Sequence, residues 1–321
     1  MKSILFICPV FNGYEKIIKK TLEHSGLYDK VFFIQDCPLQ SISLWASIKN
    51  ISGVLQERFL ELYNDRIVRL VENNKINTIF IIKGEYIYPQ TLSKIRDILR
   101  VEIIIYQWDS LRNNPNALNL RPYADRFYTF DPVDSTQNSL LYLPLFYSWE
   151  EAGFVNKKNR QIYDVFYVGG YMKSRIPYIH KMRDICKSNN LSYFFWSFER
   201  LGSFIKNFKH FYSDFNDITF RHLSYKRYFD YLCMSKCVLD IPSPMQTGLT
   251  MRTMETLSLG KKLITTNQSI KGELFFNSNV LVIDSIEDIS EEEFINFLRK
   301  PSVENKGLLT LTNWLITMKV L

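Results

Sequence analysis

At 321 residues the chain is long enough for two domains of ordinary size, and its 46% hydrophobic and 23% charged residues describe a globular protein with a sizeable core. No apolar run reaches the length of a membrane span, and the short one at residues 4–8 lacks a small-residue cleavage site, so it reads as a strand and not a signal peptide. The net charge of +7 suits a polyphosphate ligand or an anionic membrane surface. With no zinc-finger or RNP-type signature, nucleic acid is not an expected partner.

The first half alternates strands and helices. Residues 3–8 are apolar at every position, as a strand buried on both faces requires. A turn at residues 9–13 leads into a helix at 14–23. No Gly-x-Gly-x-x-Gly follows the strand, so no nucleotide is expected here. Further strands read at 30–35, 78–82, 101–106 and 125–130, with helices at 51–73 and 92–99 and a sixth apolar segment at 141–147. This alternation predicts an α/β fold with a doubly wound parallel sheet. Ligands of such sheets sit beyond the carboxyl ends of the strands, where Glu85, Trp108, Asp109, Asp131 and Asp134 fall. A general base placed there would be a carboxylate, which makes Asp109 and Asp131 catalytic candidates. Aspartate after a strand also caps turns and helices.

Residues 148–160 turn polar and charged and read as a linker. The second half opens with a strand at 163–168, a Gly169-Gly170-Tyr171 turn, and a basic helix from Ser174 to about Lys187. Bare glycine backbone permits close ligand approach. Lys173 and Arg175 stand where they counter phosphate charge, or simply begin a solvated helix. A strand at 191–198 follows, then a loop or broken helix at 206–217 whose interleaved basic and aromatic residues fit a membrane surface or a half-buried loop. A short strand at 219–223 and a helix at 224–234 come next. Cysteines 8, 37, 186, 233 and 237 show no regular spacing and no nearby histidine, so they read as reduced core thiols of a cytoplasmic protein, with no metal site.

Residues 237–241 form an apolar strand, after which Pro242 and Pro244 forbid a helix. Gly248 permits a tight turn and Thr250 is an N-cap. Met251, Met254, Leu257 and Leu259 recur at helical spacing; Gly260 closes the helix, with Lys261 and Lys262 beside its negative end. The N–H groups of such a helix start suit a phosphate, Arg252 adds a fork of donors, and Glu255 one turn on can accept from a ribose diol. Arg252 and Glu255 also fit an ordinary surface pair. A strand at 263–266, another at 279–283, an acidic helix at 291–299, Pro301 and an apolar-periodic helix at 308–320 complete the chain.

Read from Gln246, the pattern Gln-x-Gly-Leu-Thr-x-Arg-x-x-Glu-x-Leu-x-x-Gly-Lys-Lys before a Leu-Ile-Thr strand resembles the donor-nucleotide motif of GT-B-fold glycosyltransferases, in particular the group 1 and CgeB-like branch. The resemblance implies two Rossmann-like doubly wound domains facing a cleft. The acceptor-side domain would cover 1–147, a linker 148–160, and the donor-nucleotide domain 161–300, with a helix in 301–321 crossing back to the first. It implies Gln246, Gly248, Leu249, Thr250 and Arg252 at a diphosphate and Glu255 at the ribose. Gly169, Gly170, Lys173 and Arg175 would lie near the diphosphate or transferred sugar, and Asn12, Gly13, Glu85 and Trp108 on the acceptor side. Thr247 stands where retaining relatives often carry a second glutamate. The implied activity is transfer of a sugar from a nucleotide-sugar donor to a glycan or lipid-linked acceptor, in bacterial surface-polysaccharide assembly. It would need no metal or other cofactor, and would take place in the cytoplasm or in peripheral contact with the inner membrane face. A non-catalytic glycan- or nucleotide-binding module and a nucleotide-sugar epimerase are the alternatives.

Overall fold

The computed structural model describes residues 2–39, 44–45, 53–154, 161–206 and 211–321. Residues 51–52, 155–160 and 207–210, which the sequence reading gave to a helix start, to part of the linker and to the basic–aromatic stretch, lie outside them. The chain divides into two compact units. The first comprises Met1–Ala152, Pro244–Gly248 and Leu309–Leu321; the second comprises Gly153–Ser243 and Leu249–Leu308.

In the first unit, β1 (Ser3–Cys8), β2 (Lys30–Gln35), β3 (Thr78–Ile82), β4 (Glu102–Gln107), β5 (Arg126–Thr129) and β6 (Leu141–Tyr142) form one parallel sheet in the order β2-β1-β3-β4-β5-β6. Because alternate side chains leave opposite faces, the apolar runs serve two layers. Leu5, Ile7, Ile79, Ile81, Ile103 and Ile105 pack with Tyr63, Ile67 and Val71 of the helix Gly53–Asn74 and with Leu92 and Ile95 of the helix Pro89–Ile98. The helix Leu311–Thr317 belongs to this unit. Its fully buried Trp314 meets Phe80, Tyr106 and Phe146 at ring-centroid distances of 6.1, 4.6 and 4.5 Å.

The second unit repeats the plan with β7 (Tyr163–Gly170), β8 (Tyr193–Phe198), β9 (Ile218–Thr219), β10 (Ser235–Asp240), β11 (Lys262–Thr265) and β12 (Val280–Val282), in the order β12-β11-β10-β7-β8-β9. All its pairings are parallel. Val165, Tyr167, Cys237, Leu239 and Ile264 form a core with Ile179, Met182 and Ile185 of the helix Ile176–Ser188 and Phe294 and Phe297 of the helix Glu291–Arg299. Two doubly wound parallel sheets are therefore present, as the alternation of elements predicts.

Local differences have local causes. Gly169 and Gly170 are not a turn: they are the last residues of β7 and pair with Ser197 and Phe198. The strand expected at 219–223 shrinks to Ile218–Thr219, and the apolar segment 141–147 pairs only over Leu141–Tyr142. Lys261 does not cap the helix preceding it. Its Nζ donates to the carbonyls of Cys233 and Ser235 at 2.9 and 2.6 Å, closing the end of the helix Tyr225–Cys233. Lys262 is buried with its Nζ 4.5 Å from the Phe297 ring centroid. Among the described residues no helix is long and apolar enough to cross a membrane.

Candidate functional site

In the second unit the chain runs outward from β7 through β8 to β9, then returns to the other side of β7 as β10. The order therefore reverses between β7 and β10, and a crevice opens at the carboxyl ends of such a strand pair. Gly169 and Gly170 end one of these strands and Asp240 ends the other. The helix Met251–Ser258 follows β10. Its N-cap Thr250 accepts from the Thr253 N–H at 3.2 Å, as the sequence predicts from local capping chemistry. The remaining first-turn N–H groups have no acceptor within the helix itself.

Asp240, 1% exposed, ties these pieces together. Its carboxylate accepts from Thr250 Oγ1 at 2.5 Å, Thr253 Oγ1 at 2.7 Å and Arg252 Nη1 at 2.6 Å. Burial alone would lower the Arg252 pKa, but Asp240, then the Tyr167 and Tyr228 phenols, outweigh it and raise it, so the guanidinium stays charged. The Arg252 guanidinium carbon also lies 5.5 Å from the Tyr167 ring centroid. Its Nη2 reaches toward β7: a Cβ added to Gly169 would stand 3.1 Å from that nitrogen and 2.8 Å from the Tyr167 hydroxyl. Arg175 bonds the Gly170 carbonyl through Nη1 at 3.0 Å. Lys173 sits beside it in a short 3-10 turn and is exposed.

Arg252 and Glu255 are not a surface pair. Arg252 is held by Asp240, while Glu255 is fully buried and accepts from the Tyr225 hydroxyl at 2.6 Å. Tyr228 lies beside it; burial, reinforced by the Glu255 charge, pushes the Tyr228 phenol well above its usual range. Asp240 was missed in the sequence. The signal was available, since it ends an apolar strand just as Asp109 and Asp131 follow theirs.

Gln246 and Gly248 fall in the first unit, with the segment Pro244–Gly248, and Leu249 opens the return to the second, where it is buried. The segment is anchored by Asp131, whose carboxylate accepts from the N–H groups of Thr247 (2.6 Å) and Gly248 (3.0 Å) and from the Thr247 hydroxyl. The same carboxylate caps the helix Pro132–Asn138 through the N–H groups of Val133 and Asp134. Burial raises the Asp131 pKa, but the donors from Thr247, Asp134 and Gly248 prevail and hold it below the usual carboxylate range. A buried carboxylate so engaged is a poor proton acceptor, which corrects its reading as a catalytic base. Gly248 is likewise glycine for packing reasons. Its Cβ would meet the Phe130 ring at 2.4 Å, and its N–H serves Asp131 and not a phosphate.

The first unit has its own reversal of strand order, between β1 and β3. The loops after these two strands both hold consecutive left-handed residues, Asn12 and Gly13 at φ 51° and 90°, and Lys83 and Gly84 at φ 74° and 68°. Lys83 Nζ lies 2.7 Å from Glu85 and 3.5 Å from Asp109. The other Asp109 oxygen accepts from the Asn113 amide at 2.8 Å and the Ser110 N–H at 3.0 Å. Trp108 meets the half-exposed Phe11 edge-on at 6.2 Å. Asn12, Gly13, Glu85, Trp108 and Asp109 thus all border the carboxyl ends of β1, β3 and β4, joined by Lys83 and by Asp36 from the end of β2. Among the described residues no three His, Cys, Asp or Glu side chains are grouped as metal ligands.

No family profile matches the sequence, and no curated protein is similar to it. Solved structures are. A UDP-GlcNAc 2-epimerase from Neisseria meningitidis bound to UDP-GlcNAc superposes with a TM-score of 0.60 at 10% identity, over 99% of each chain. MurG of Acinetobacter baumannii gives 0.54 at 9% identity, over 100% of this chain and 99% of the other. The lipopolysaccharide outer core galactosyltransferase WaaB in its apo form gives 0.52 at 14% identity, over 92% and 89%. These likenesses run the length of the chain, and with two six-stranded parallel sheets in the orders described, the protein has the GT-B fold of two Rossmann-like domains.

Proposed function

We propose that the protein is a glycosyltransferase that uses a nucleotide-sugar donor, with the second unit holding the nucleotide. What supports this reading above all is the gathering of Gly169, Asp240-held Arg252 and a capped helix N-terminus at the strand-order reversal of one sheet. Backbone dipoles and a guanidinium fixed in place are what a departing diphosphate needs, and they act without a metal. Glu255 takes the ribose by displacing its bond to Tyr225. Lys173 and Arg175 add positive charge beside the glycines. In the first unit, Asp109 is the general base and Glu85, Trp108, Asn12 and Gly13 border the acceptor, a glycan or a lipid-linked sugar of a surface polysaccharide. The reaction takes place in the cytoplasm or on the inner membrane face.

Calorimetry against UDP, GDP, ADP and CDP tests the nucleotide site. The double variant Asp240→Asn/Arg252→Gln, which leaves no unpaired buried charge, should weaken the preferred diphosphate by about 1.5–3 kcal/mol, the worth of a charged hydrogen bond. Undiminished affinity sinks the placement. With a donor identified, Asp109→Asn should leave nucleotide affinity alone and cut transfer at least 100-fold, on the order of general-base contributions. Release of an epimerised nucleotide sugar without any acceptor would instead make the protein an epimerase.

A further inference from the structure

One buried group in the second unit has no purpose in the free protein. The Tyr167 side chain is fully buried, yet its hydroxyl has no hydrogen-bond partner among the described residues. Such groups are uncommon and costly, and phenylalanine would fill the same position on β7 and stack on Arg252 equally well. The hydroxyl sits where a group is missing. It and Arg252 Nη2 flank the one small space that the absent side chain of Gly169 leaves, at 2.8 and 3.1 Å from where that Cβ would stand. Any other residue at 169 would fill that space. Nη1 of the same arginine is occupied by Asp240, so its placement does not depend on a ligand.

We propose that this space is a phosphoryl subsite, in which the Tyr167 hydroxyl and Arg252 Nη2 donate to the distal phosphate of a nucleoside diphosphate. The inference rests on the nucleotide reading of this unit. In that reading Glu255, one helical turn beyond Arg252, marks the ribose end. The Gly169 side of the guanidinium is then left for the phosphate farther from the ribose. Two donors of different kinds, one a fixed cation and the other a neutral hydroxyl, suit an oxyanion. They do not suit a sugar carbon skeleton or a base edge. Tyr167 is thereby the residue that separates diphosphate from monophosphate.

The test compares a nucleoside, its monophosphate and its diphosphate by calorimetry, using the base that the wild type prefers, together with thermal melting of the free protein. Tyr167→Phe should melt at or above the wild-type temperature, because it deletes an unsatisfied buried hydroxyl. It should bind the diphosphate about tenfold or more weakly, the loss of one hydrogen bond to a charged group, and the monophosphate within about twofold of wild type. Tyr225→Phe supplies the contrast, since its hydroxyl already bonds Glu255 and its loss should lower the melting temperature. Unchanged diphosphate affinity in Tyr167→Phe, or an equal loss for monophosphate and diphosphate, overturns the subsite while leaving the nucleotide reading intact. If the wild type binds no nucleotide, or Asp240→Asn/Arg252→Gln binds as tightly as wild type, both fall.

Discussion

Asp36 and Asp131 are carboxylates of the same unit whose surroundings push them in opposite directions. Asp36 is 4% exposed; burial, only partly offset by the Glu85 N–H, raises its pKa to about 6. Nearby Glu85 adds to the rise and Lys83 opposes it. An acid whose folded pKa stands above its unfolded value favours folding at low pH. Its contribution is whole below about pH 4 and is lost as the pH climbs through about 6. Asp36→Asn should therefore stabilise the protein at pH 7–8 by up to about 3 kcal/mol, with the gain vanishing near pH 4. Urea midpoints across that range would show it; a gain independent of pH would refute it. Asp131, with its pKa held down, has the reverse linkage: its contribution is present above about pH 4 and declines as acid is added. Neither behaviour was legible in the sequence, where both read alike as aspartates after strands. What separates them is the number of donors folded around each.

The segment Pro244–Gly248 shows the limit of local reading at the level of elements. The helix start after it was legible because Thr250 and Gly260 act on neighbouring backbone, and Gly260 does take the left-handed conformation at φ 66°. The segment itself answers to Asp131 and Ser110, more than 110 positions away in the chain. No spacing rule reaches that far, and so Gly248 was read as ligand backbone when Phe130 is its neighbour. Two substitutions probe the anchoring. Asp131→Ala, which strands several buried N–H groups, should cost roughly 3 kcal/mol. Gly248→Ala, which drives a methyl into the Phe130 ring, should cost roughly 2 kcal/mol. Denaturant titration measures both, and a neutral Gly248→Ala would mean that the ring simply moves aside.

For the molecule as a whole, the central strands were legible because a strand covered on both faces is apolar throughout, and the order of elements dictated parallel sheets. The two-residue edge strands Leu141–Tyr142 and Ile218–Thr219 carried too little pattern to delimit. Unit membership was harder to read, since the first unit is assembled from three stretches of chain. Trp314, at the centre of its last stretch, should be worth about 3–5 kcal/mol, so Trp314→Ala should unfold the first unit at temperatures the wild type tolerates. Hydrogen exchange, with β1, β3 and β4 losing protection, would identify the unit affected. That arrangement also bears on biogenesis. A nascent polypeptide emits β1–β6 early and Trp314 late, so Phe80, Tyr106 and Phe146 stay wet while the ribosome makes everything between. A stop codon a dozen triplets early would thus spoil the half translated first, and chaperones should be found holding that half until synthesis ends.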